Sequence, residues 1–397
     1  MNLSTRATSI NKAIKLSLTS KAKQLLEDGF DIIDFSSGES FFDTPEHLKK
    51  IARESIDKQF YCNEASGMQE LREAIAQKLL TENNINYDYN QVVVCHGAKH
   101  GLNNALFTIL NDGDEVIIPA PYWTTYPEVV KRCGGIPVYI YTQKEDNFKV
   151  TREMLEEVAT SKTKALIINN PNNPTGMVYT QEELEEIAEF AIKYDIFVIS
   201  DESYEKLIYS NRIKYVSIAS LNPEIYKRTI TINGFSKGYG LSGWRIGYTA
   251  SNLEIANIIS NVQSHTISNV SIVAQNVALE ALRTPDDIFD TNSFEFKRKR
   301  DYASERISDI PLFSSLTPNG AFYLFIDVSK LFGVTINNTT INDSEDLAKI
   351  LLDECRVCVV PCNQFGYEKY IRFSYTASMS DLVEGINRIE KFIKSNF

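Results

Sequence analysis

Short apolar runs alternate with amphipathic stretches over the middle of the chain, from about residue 91 to residue 250. Seven of these runs are mostly rich in valine and isoleucine and predict strands: QVVVCHG, DEVIIPA, PVYIY, KALIINN, IFVISDE, TITING and IGYTA. Stretches such as YPEVVKRCG and TQEELEEIAEFAIKYD lie between several of them and have the spacing of helices. Near-continuous apolar strands with helical crossovers are typical of a mostly parallel sheet covered on both faces. We therefore predict an α/β fold.

The pattern changes after about residue 290. SFEFKRKRDYASERIS predicts a long charged helix, and AFYLFIDVS, VCVVP and KYIRFSYTA predict strands before a final amphipathic helix. A chain of 397 residues also exceeds what one hydrophobic core usually supports. We expect an N-terminal arm and part of the small domain over residues 1–44, a large domain over 45–289, and a smaller α+β C-terminal domain over 290–397.

The charge balance bears on the partners. The chain has 41 basic and 52 acidic residues, a net charge of −11, and no apolar run long enough for a membrane-spanning helix. A broad grip on nucleic-acid phosphates or on an anionic membrane is therefore not expected. A small anionic ligand would need a local cationic pocket.

The N-terminal stretch MNLSTRATSINKAIKLSLTSKAKQ is basic, rich in serine and threonine, and free of acidic residues until Glu27. This composition is similar to that of an organellar transit peptide. KAIKLSLTSKAKQLL, however, has apolar residues at helical spacing, which indicates an arm or first helix of the folded protein. We favour the second interpretation and expect a cytoplasmic protein.

Three of the six cysteines, Cys355, Cys358 and Cys362, form a C-x2-C-x3-C pattern that raises the hypothesis of a metal site. The surrounding CRVCVVP reads as the end of a helix that enters a strand. Alternate strand residues point to opposite faces, so three thiolates would not easily converge there. We expect buried free thiols and no metal.

Small and polar residues follow the carboxyl ends of several predicted strands, which is where ligands bind in such sheets. They are Gly97-Ala98-Lys99, Tyr122-Trp123, Asn169 to Thr175, Asp201 to Tyr204, and Ser236-Lys237. One end of the sheet thus collects an aromatic ring, an amide, a carboxylate, a phenol and an amine. We predict the functional site there.

The stretch NGFSKGYGLSGWRIGY, residues 233–248, contains Lys237 and Arg245 among small residues. A lysine becomes a nucleophile towards carbonyls when burial or a neighbouring cation disfavours its charged form. Most lysines in such loops are simply solvated. The helix predicted to begin near Gly97 would offer its N-terminus to a phosphate, with Ser236 and Arg245 beside it.

Three further residues have a structural and a functional interpretation. Asp201 ends an apolar strand, as a cap, as a member of an ion pair, or as the partner of a protonated ring nitrogen. Trp123 would pack in the core or lie flat on a cofactor ring. Arg372 lies within an apolar strand and needs a carboxylate, either internal or from a ligand.

Together these motifs resemble the class I/II aminotransferases, pyridoxal-phosphate enzymes of fold type I, and within them the bacterial aspartate subgroup. SKGYGLSGWR meets the family pattern S-K-x-[YF]-x-[LM]-[ST]-G-x-R, and NPNNPTG meets N-P-x-N-P-T-G. The spacing of Asn173, Asp201 and Lys237 matches as well. The resemblance runs from the N-terminal arm to the final helix.

The resemblance implies a role for each matching residue. Lys237 would hold pyridoxal phosphate covalently and move a proton during the reaction, Asp201 would pair with the ring nitrogen, and Tyr204 would bind the ring oxygen. The other residues expected around the cofactor are Asn173 at the ring oxygen, Trp123 on the ring, and Ala98, Lys99, Ser236, Arg245 and Tyr61 at the phosphate. The substrate would contact Arg372, the backbone of Gly38, Asn173, Trp123 and Lys99. Such enzymes are homodimers with shared sites, so Tyr61 and HTISN (265–269) would serve the neighbouring subunit.

Several positions depart from the family pattern. GESFFDTP has Ser40 and Phe41 where proline and aspartate are usual, and PCNQFG has Cys362 for glycine. Tyr61 lies one residue farther from Gly67 than expected. The remaining departures are Lys15 in place of a threonine of the arm and His100 in place of glutamine.

The expected activity is transfer of an amino group between an L-amino acid and a 2-oxo acid, in two half-reactions. Lys99 favours aspartate or glutamate paired with 2-oxoglutarate, whereas Phe41 and the altered arm could make room for an aromatic substrate. A lyase, decarboxylase or cyclase that uses the same cofactor is the alternative. A ligand-sensing domain of a transcriptional regulator is less consistent, because the arm leaves no room for a DNA-binding segment.

Overall fold

A computed structural model of the protein describes residues 3–10, 15–39, 43–57, 64–210, 213–285, 287–336 and 339–396. Ser40, Phe41 and Tyr61, and the side chain of Lys15, lie outside the described residues. Helices in the described residues run over α1 Thr5–Thr8, α2 Lys15–Glu27, α3 Glu46–Ile56, α4 Gln69–Asn83, α5 Ala98–Ile109, α6 Thr125–Arg132, α7 Arg152–Val158, α8 Gln181–Lys193, α9 Pro223–Arg228, α10 Leu253–Ser264, α11 Ile272–Arg283, α12 Asp287–Ser308, α13 Ser344–Cys355 and α14 Met379–Asn396.

The strands fall into a large central group and a shorter-stranded C-terminal group. They run over β1 Ile33–Asp34, β2 Val92–Cys95, β3 Glu115–Ala120, β4 Ile136–Tyr141, β5 Thr163–Asn169, β6 Phe197–Asp201, β7 Thr229–Gly234, β8 Gly247–Ala250, β9 Ser314–Ser315, β10 Tyr323–Asp327, β11 Thr335–Ile336, β12 Thr339–Thr340, β13 Val357–Cys358, β14 Val360–Pro361 and β15 Tyr370–Ser374.

The seven strands predicted between residues 91 and 250 form one sheet in the order β2-β8-β7-β6-β5-β3-β4. All neighbouring pairs are parallel except those of β8, which runs antiparallel to both β2 and β7. The carboxyl ends of the parallel strands and the first residue of β8 therefore meet at the same edge. The predicted mostly parallel sheet is confirmed.

Helices cover both faces of this sheet because successive strand residues point to opposite sides. Ile199 of β6 packs in a core with α5, α6 and α10, whereas its neighbour Val198 packs in a core with α7, α8 and α9. A third core, which contains α3, α4 and α11, extends over the β2 and β8 side. Except for the edge strand β4, whose end residues are exposed, the strands are thus buried on both sides, which explains their apolar composition.

The C-terminal strands form a sheet in the order β14-β15-β10-β9, packed with α12, α13 and α14. Leu18, Ile33 and Phe35 from the N-terminal part belong to the same core. The expected strand over VCVVP is wrong in one respect. Its first half, β13, pairs in parallel with β1, and its second half, β14, pairs antiparallel with β15. The domain boundaries at residues 44 and 289 stay a prediction.

The cysteines of the C-x2-C-x3-C pattern are buried and free, as predicted, and burial raises the pKa of the Cys355 thiol to about 12. No cluster of three metal-ligating side chains occurs within the described ranges. In the same part of the chain, no helix is both long and apolar enough to cross a membrane.

Candidate active site

A cavity of about 440 Å³ opens at the edge where the carboxyl ends of the parallel strands meet. It lies between that edge and the C-terminal strands β14 and β15. All the predicted site residues with described positions line it: Gly38, Ala98, Lys99, Trp123, Asn173, Asp201, Tyr204, Ser236, Lys237, Arg245 and Arg372. Tyr61 is the one predicted site residue that lies outside the described residues. The structure therefore brings together side chains that are distant in sequence.

Asp201 ends β6 and is buried at the base of the cavity. The Tyr126 hydroxyl donates to its Oδ2 at 2.7 Å, and the Ser203 hydroxyl and amide donate to its Oδ1 at 2.6 and 3.1 Å. Burial raises the pKa of the Asp201 carboxyl, while the bonds from Ser203 and Tyr126 act in the opposite direction. Asp201 is thus a fixed, buried acceptor rather than the cap of a helix.

Asn173 is held by a rigid turn that follows β5. Asn169 accepts the Asn173 amide at 2.7 Å through its Oδ1 and donates through Nδ2 to the Asp201 carbonyl at 3.1 Å. These two bonds tie the turn to the end of β6. The Asn173 side chain accepts a hydrogen bond from Arg372 Nη1 at 3.0 Å. The Asn173 amide and the Arg372 guanidinium are thereby held next to each other on the cavity wall.

Arg372 is a buried arginine in an apolar strand. Besides its bond to Asn173, its Nη2 donates to the Ser36 carbonyl at 3.0 Å, and its Cζ lies 4.4 Å from the centre of the Tyr323 ring. Its Nε has no hydrogen-bond partner, and no carboxylate of the described residues lies within ion-pair distance. The described residues therefore provide no internal salt bridge for Arg372. A buried guanidinium with neutral contacts favours a carboxylate ligand.

Lys237 extends into the cavity from the loop that follows β7. Its Nζ donates to the Gly38 carbonyl and lies 5.9 Å from the centre of the Tyr204 ring. Its positive charge also favours the ionised form of Asp201. Asp201, Tyr204 and Lys237 therefore surround one space, as the sequence predicts.

Two glycines create a cradle at the N-terminus of α5. Gly97 has φ +82°, and a Cβ there would lie 2.7 Å from Arg245 Nη2. A Cβ on Gly247 would lie 2.7 Å from the Ala98 amide nitrogen. The absence of side chains lets Arg245 and β8 approach the first turn of a 12-residue helix, whose free amides attract anions. Ser236 lines the same cavity.

Lys99 and Trp123 form part of the outer rim of the cavity. Lys99 is exposed, and its Nζ lies 5.0 Å from the centre of the Trp123 ring. Burial of part of the side chain, followed by the charge of Arg245, lowers the pKa of the Lys99 amine. Trp123 is half-buried rather than a core residue, so one part of its ring faces the cavity.

The cavity is cationic although the chain is acidic. Its described lining residues include four cations, Lys99, Lys237, Arg245 and Arg372, against two carboxylates, Glu39 and Asp201. An anion-binding helix terminus, a buried acceptor and an aromatic surface fit a flat cofactor that carries a phosphate and a protonated ring nitrogen. These residues therefore fit pyridoxal phosphate.

Ser203 lies within the predicted strand end Asp201 to Tyr204, and an Asp-x-Ser sequence favours its local bond to the aspartate side chain. Several other lining residues carry no such signal in the sequence. Tyr126 reaches Asp201 from a different crossover, and Tyr323 lies on the C-terminal sheet. Their contacts depend on the packing of distant segments.

Comparisons with a family model and with known proteins indicate the same family. The model of the family described as aminotransferase class I and II matches residues 31–389. An aspartate aminotransferase of Bacillus sp. (strain YM-2) is 41% identical over 99% of both chains. A probable aspartate/prephenate aminotransferase of Aquifex aeolicus is 43% identical over 99% of this chain and 98% of its own length.

The fold agrees with this assignment. The crystal structure of the aspartate aminotransferase from Rhizobium meliloti superposes with a TM-score of 0.95, at 33% identity, over 100% of this chain and 99% of that one. The chain belongs to the class I and II aminotransferases, enzymes that use pyridoxal phosphate to move an amino group between amino acids and oxo acids.

Proposed function

We propose that the chain transfers the amino group of aspartate or glutamate to a 2-oxo acid such as 2-oxoglutarate, as a cytoplasmic homodimer. The observation that carries this proposal is a pair of cations on the cavity wall. No carboxylate of the described residues lies within ion-pair distance of Arg372 or Lys99. One of them is buried and the other is on the rim, as two carboxylates of a single substrate would require.

The cofactor contacts are proposed from the site geometry and the family resemblance. Lys237 would hold pyridoxal phosphate covalently, with Asp201 at its ring nitrogen and Tyr204 and Asn173 at its ring oxygen. Trp123 would lie against the ring, and the phosphate would be bound by Ala98, Lys99, Ser236 and Arg245, with Tyr61 from the second subunit. When bound, the cofactor supplies an electron-withdrawing ring that stabilises negative charge at the substrate Cα.

Lys237 is the proposed acid and base. With pyridoxal phosphate bound, the Lys237 Nζ would act as the base that removes the proton on the substrate Cα and as the acid that returns it. Its contact with the Gly38 carbonyl would position the amine between these steps. The hydrogen bonds from Tyr126 and Ser203 favour the charged form of Asp201, in opposition to the effect of burial.

Arg372 would bind the substrate α-carboxylate, together with the backbone of Gly38. A guanidinium presents two parallel donors to a carboxylate, so this contact fixes orientation as well as position. The bond from Nη1 to Asn173 Oδ1 holds the guanidinium in place before substrate binds. Preorganisation of this kind reduces the cost of ordering the substrate.

Lys99 would select the distal carboxylate of an acidic substrate. It lies against Trp123, which limits the positions of its amine, and no carboxylate of the described residues forms an ion pair with it. Relatives named aspartate aminotransferase and aspartate/prephenate aminotransferase support a dicarboxylic substrate.

The homodimer proposal rests on the resemblance. Ile267, in the segment expected to reach the neighbouring subunit, is 40% exposed, so the surface of that segment is open to contact with a second subunit. The five free, buried cysteines of the described residues agree with a reducing compartment such as the cytoplasm.

The test is a single-turnover assay with the purified holoenzyme and one amino acid at a time, without an oxo-acid acceptor. Transamination predicts one equivalent of oxo acid per subunit from aspartate and glutamate, and much slower release from phenylalanine and alanine. Continuous release of ammonia or carbon dioxide would contradict amino-group transfer. Faster reaction of phenylalanine than of aspartate would contradict the proposed acidic specificity.

A further inference from the structure

Tyr323 lines the cavity, and the proposed function assigns it no role. It is 1% exposed, its hydroxyl lies 2.9 Å from that of Tyr204, and its ring centre lies 4.4 Å from Arg372 Cζ. We propose that Tyr323 is a positioning residue that holds Tyr204 through its hydroxyl and Arg372 through its ring. The inference rests on the proposed function, in which Tyr204 binds the cofactor and Arg372 the substrate carboxylate.

Strand register places the ring beneath the guanidinium. In the antiparallel pair β10–β15, Tyr323 lies opposite Ser374 and Phe325 lies opposite Arg372. Tyr323 and Arg372 are therefore diagonal neighbours on the same face of the sheet, within reach of each other's long side chains. A guanidinium over a ring is attracted most strongly when both are shielded from water. Both side chains are buried here, so the ring is a platform for the charged group.

A backbone junction fixes Tyr323 relative to Tyr204. The Ala321 amide donates to the Leu207 carbonyl at 2.9 Å, and Ile208 and Gly320 form an isolated antiparallel bridge. A Cβ on Gly320 would lie 2.7 Å from the Leu207 carbonyl oxygen, so this approach requires glycine. The segment after Tyr204 and the segment before Tyr323 are thus locked together. Their hydroxyls meet as a consequence.

The direction of the hydrogen bond follows from the cofactor contact. Either hydroxyl could donate within the pair. A Tyr204 hydroxyl that donates to the cofactor ring oxygen leaves its own oxygen to accept, so Tyr323 must be the donor. Bonds in such a chain strengthen one another, which makes Tyr204 a better donor.

Both phenols are protonated and able to donate at neutral pH. Burial raises the pKa of Tyr204 and of Tyr323 above the ordinary value, and the Tyr323 side chain contributes further to the rise at Tyr204. The charged groups that act on the pair are Arg372, Asp201, Glu39 and Lys237.

The first test removes only the hydroxyl. In Tyr323→Phe holoenzyme, we expect the pKa of the pH-dependent visible absorbance to rise by roughly half a unit to one unit, the size of one hydrogen bond. The rise follows because a weaker donor stabilises less negative charge on the ring oxygen. The affinity for carboxylates should change by less than about two-fold, because the ring remains.

The second test removes the ring. In Tyr323→Leu holoenzyme, the dissociation constants of maleate and of 3-phenylpropionate, measured by absorbance titration, should rise about five- to thirty-fold. Tyr323→Met replaces this variant if circular dichroism shows that the leucine protein is unfolded. Tyr179→Phe is the matched control, because it removes a buried hydroxyl that accepts a hydrogen bond from the Val150 amide outside the cavity. The control should change neither quantity.

The assignment would be overturned by an unshifted absorbance pKa in Tyr323→Phe or by unchanged carboxylate affinity in Tyr323→Leu. Equal loss of carboxylate affinity in both variants would also overturn it, because the two contacts would not be separable. A failure of the proposed acidic specificity would give a different result. In that case wild-type holoenzyme binds 3-phenylpropionate more tightly than maleate, while the ratios between variant and wild type stay as expected.

Discussion

The inner wall and the outer rim of the cavity differ in how their side chains are held. The inner wall consists of Asn173, Asp201, Tyr204 and Arg372, each no more than 5% exposed and each bonded to other parts of the protein. The rim contains Lys99 and Glu39, which are exposed. The wall is fixed by the strands and turns that carry the family motifs. The rim depends on loops and on the arm, where this chain departs from the family pattern.

This difference separates chemistry from specificity. Reaction with any amino acid needs a lysine, a ring-nitrogen partner and a carboxylate-binding arginine, all of which belong to or lie beside the buried wall. Discrimination among side chains needs contacts farther out, where substitution costs little stability. Changes to the wall should therefore affect every substrate, and changes to the rim should affect only some.

The largest expected effect comes from Lys237→Ala. Loss of the covalent link and of the proposed base should lower kcat for every amino acid by at least about 10⁴-fold and abolish the visible absorbance of protein-linked cofactor. Lys206→Ala is the matched control, because the Lys206 stem packs beside Gly238 and its amine pairs with Glu82. Normal activity in the Lys237 variant would remove the basis of the proposed mechanism.

Arg372→Ala should have the next largest effect. Loss of a desolvated carboxylate contact costs about 2 to 5 kcal/mol, which corresponds to a roughly 30- to 5000-fold fall in kcat/KM for aspartate and for phenylalanine alike. Arg300 offers a comparison, since it is also buried but pairs with Asp301. Arg300→Ala should lower the melting temperature and leave KM within about two-fold. A lower melting temperature with an unchanged KM in Arg372→Ala would mean that Arg372 is structural.

Glu202 is a second buried carboxylate and allows the effect of burial to be separated from a role in the cavity. It is the neighbour of Asp201 but does not line the cavity, and Ser200 and Ser217 donate to its Oε1. Burial, followed by the charge of Glu205, raises its pKa from 4.5 to about 7. The folded protein holds this proton more tightly than the unfolded chain, so the stabilisation is complete below pH 4.5 and is lost as pH rises through 7.

Glu202→Gln replaces the neutral acid with a neutral amide. Relative to wild type, its free energy of unfolding should be similar at pH 5 and higher by up to about 3 kcal/mol at pH 8. Urea unfolding at the two pH values measures this difference. A constant difference across the range would show that Glu202 does not titrate there.

The smallest effect is expected at the rim. Lys99→Met should raise KM for aspartate and glutamate roughly three- to ten-fold, because an exposed ion pair contributes only about 1 kcal/mol, and should leave phenylalanine within about two-fold. Lys164→Met is the control, since Lys164 also lies over an aromatic ring, that of Phe197, outside the cavity. An equal loss for all three substrates would place Lys99 at the cofactor alone.

The sequence predicted the central sheet and eleven of the residues that line the cavity, because strand ends and family motifs mark them directly. Two features escaped. The split of VCVVP between two sheets depends on which strands are available as partners, and the contacts of Tyr126 and Tyr323 depend on tertiary packing. The sequence alone also left two interpretations of Arg372 open, an internal salt bridge and a carboxylate ligand. A choice between them required the positions of the neighbouring residues.

The most direct test of the central claim is a crystal structure of the holoenzyme with maleate. The account predicts that one carboxylate of maleate accepts two hydrogen bonds from Arg372, one of them from Nε, and that the other lies within ion-pair distance of Lys99. Maleate bound away from Arg372, with the Nε of that residue still without a partner, would contradict it.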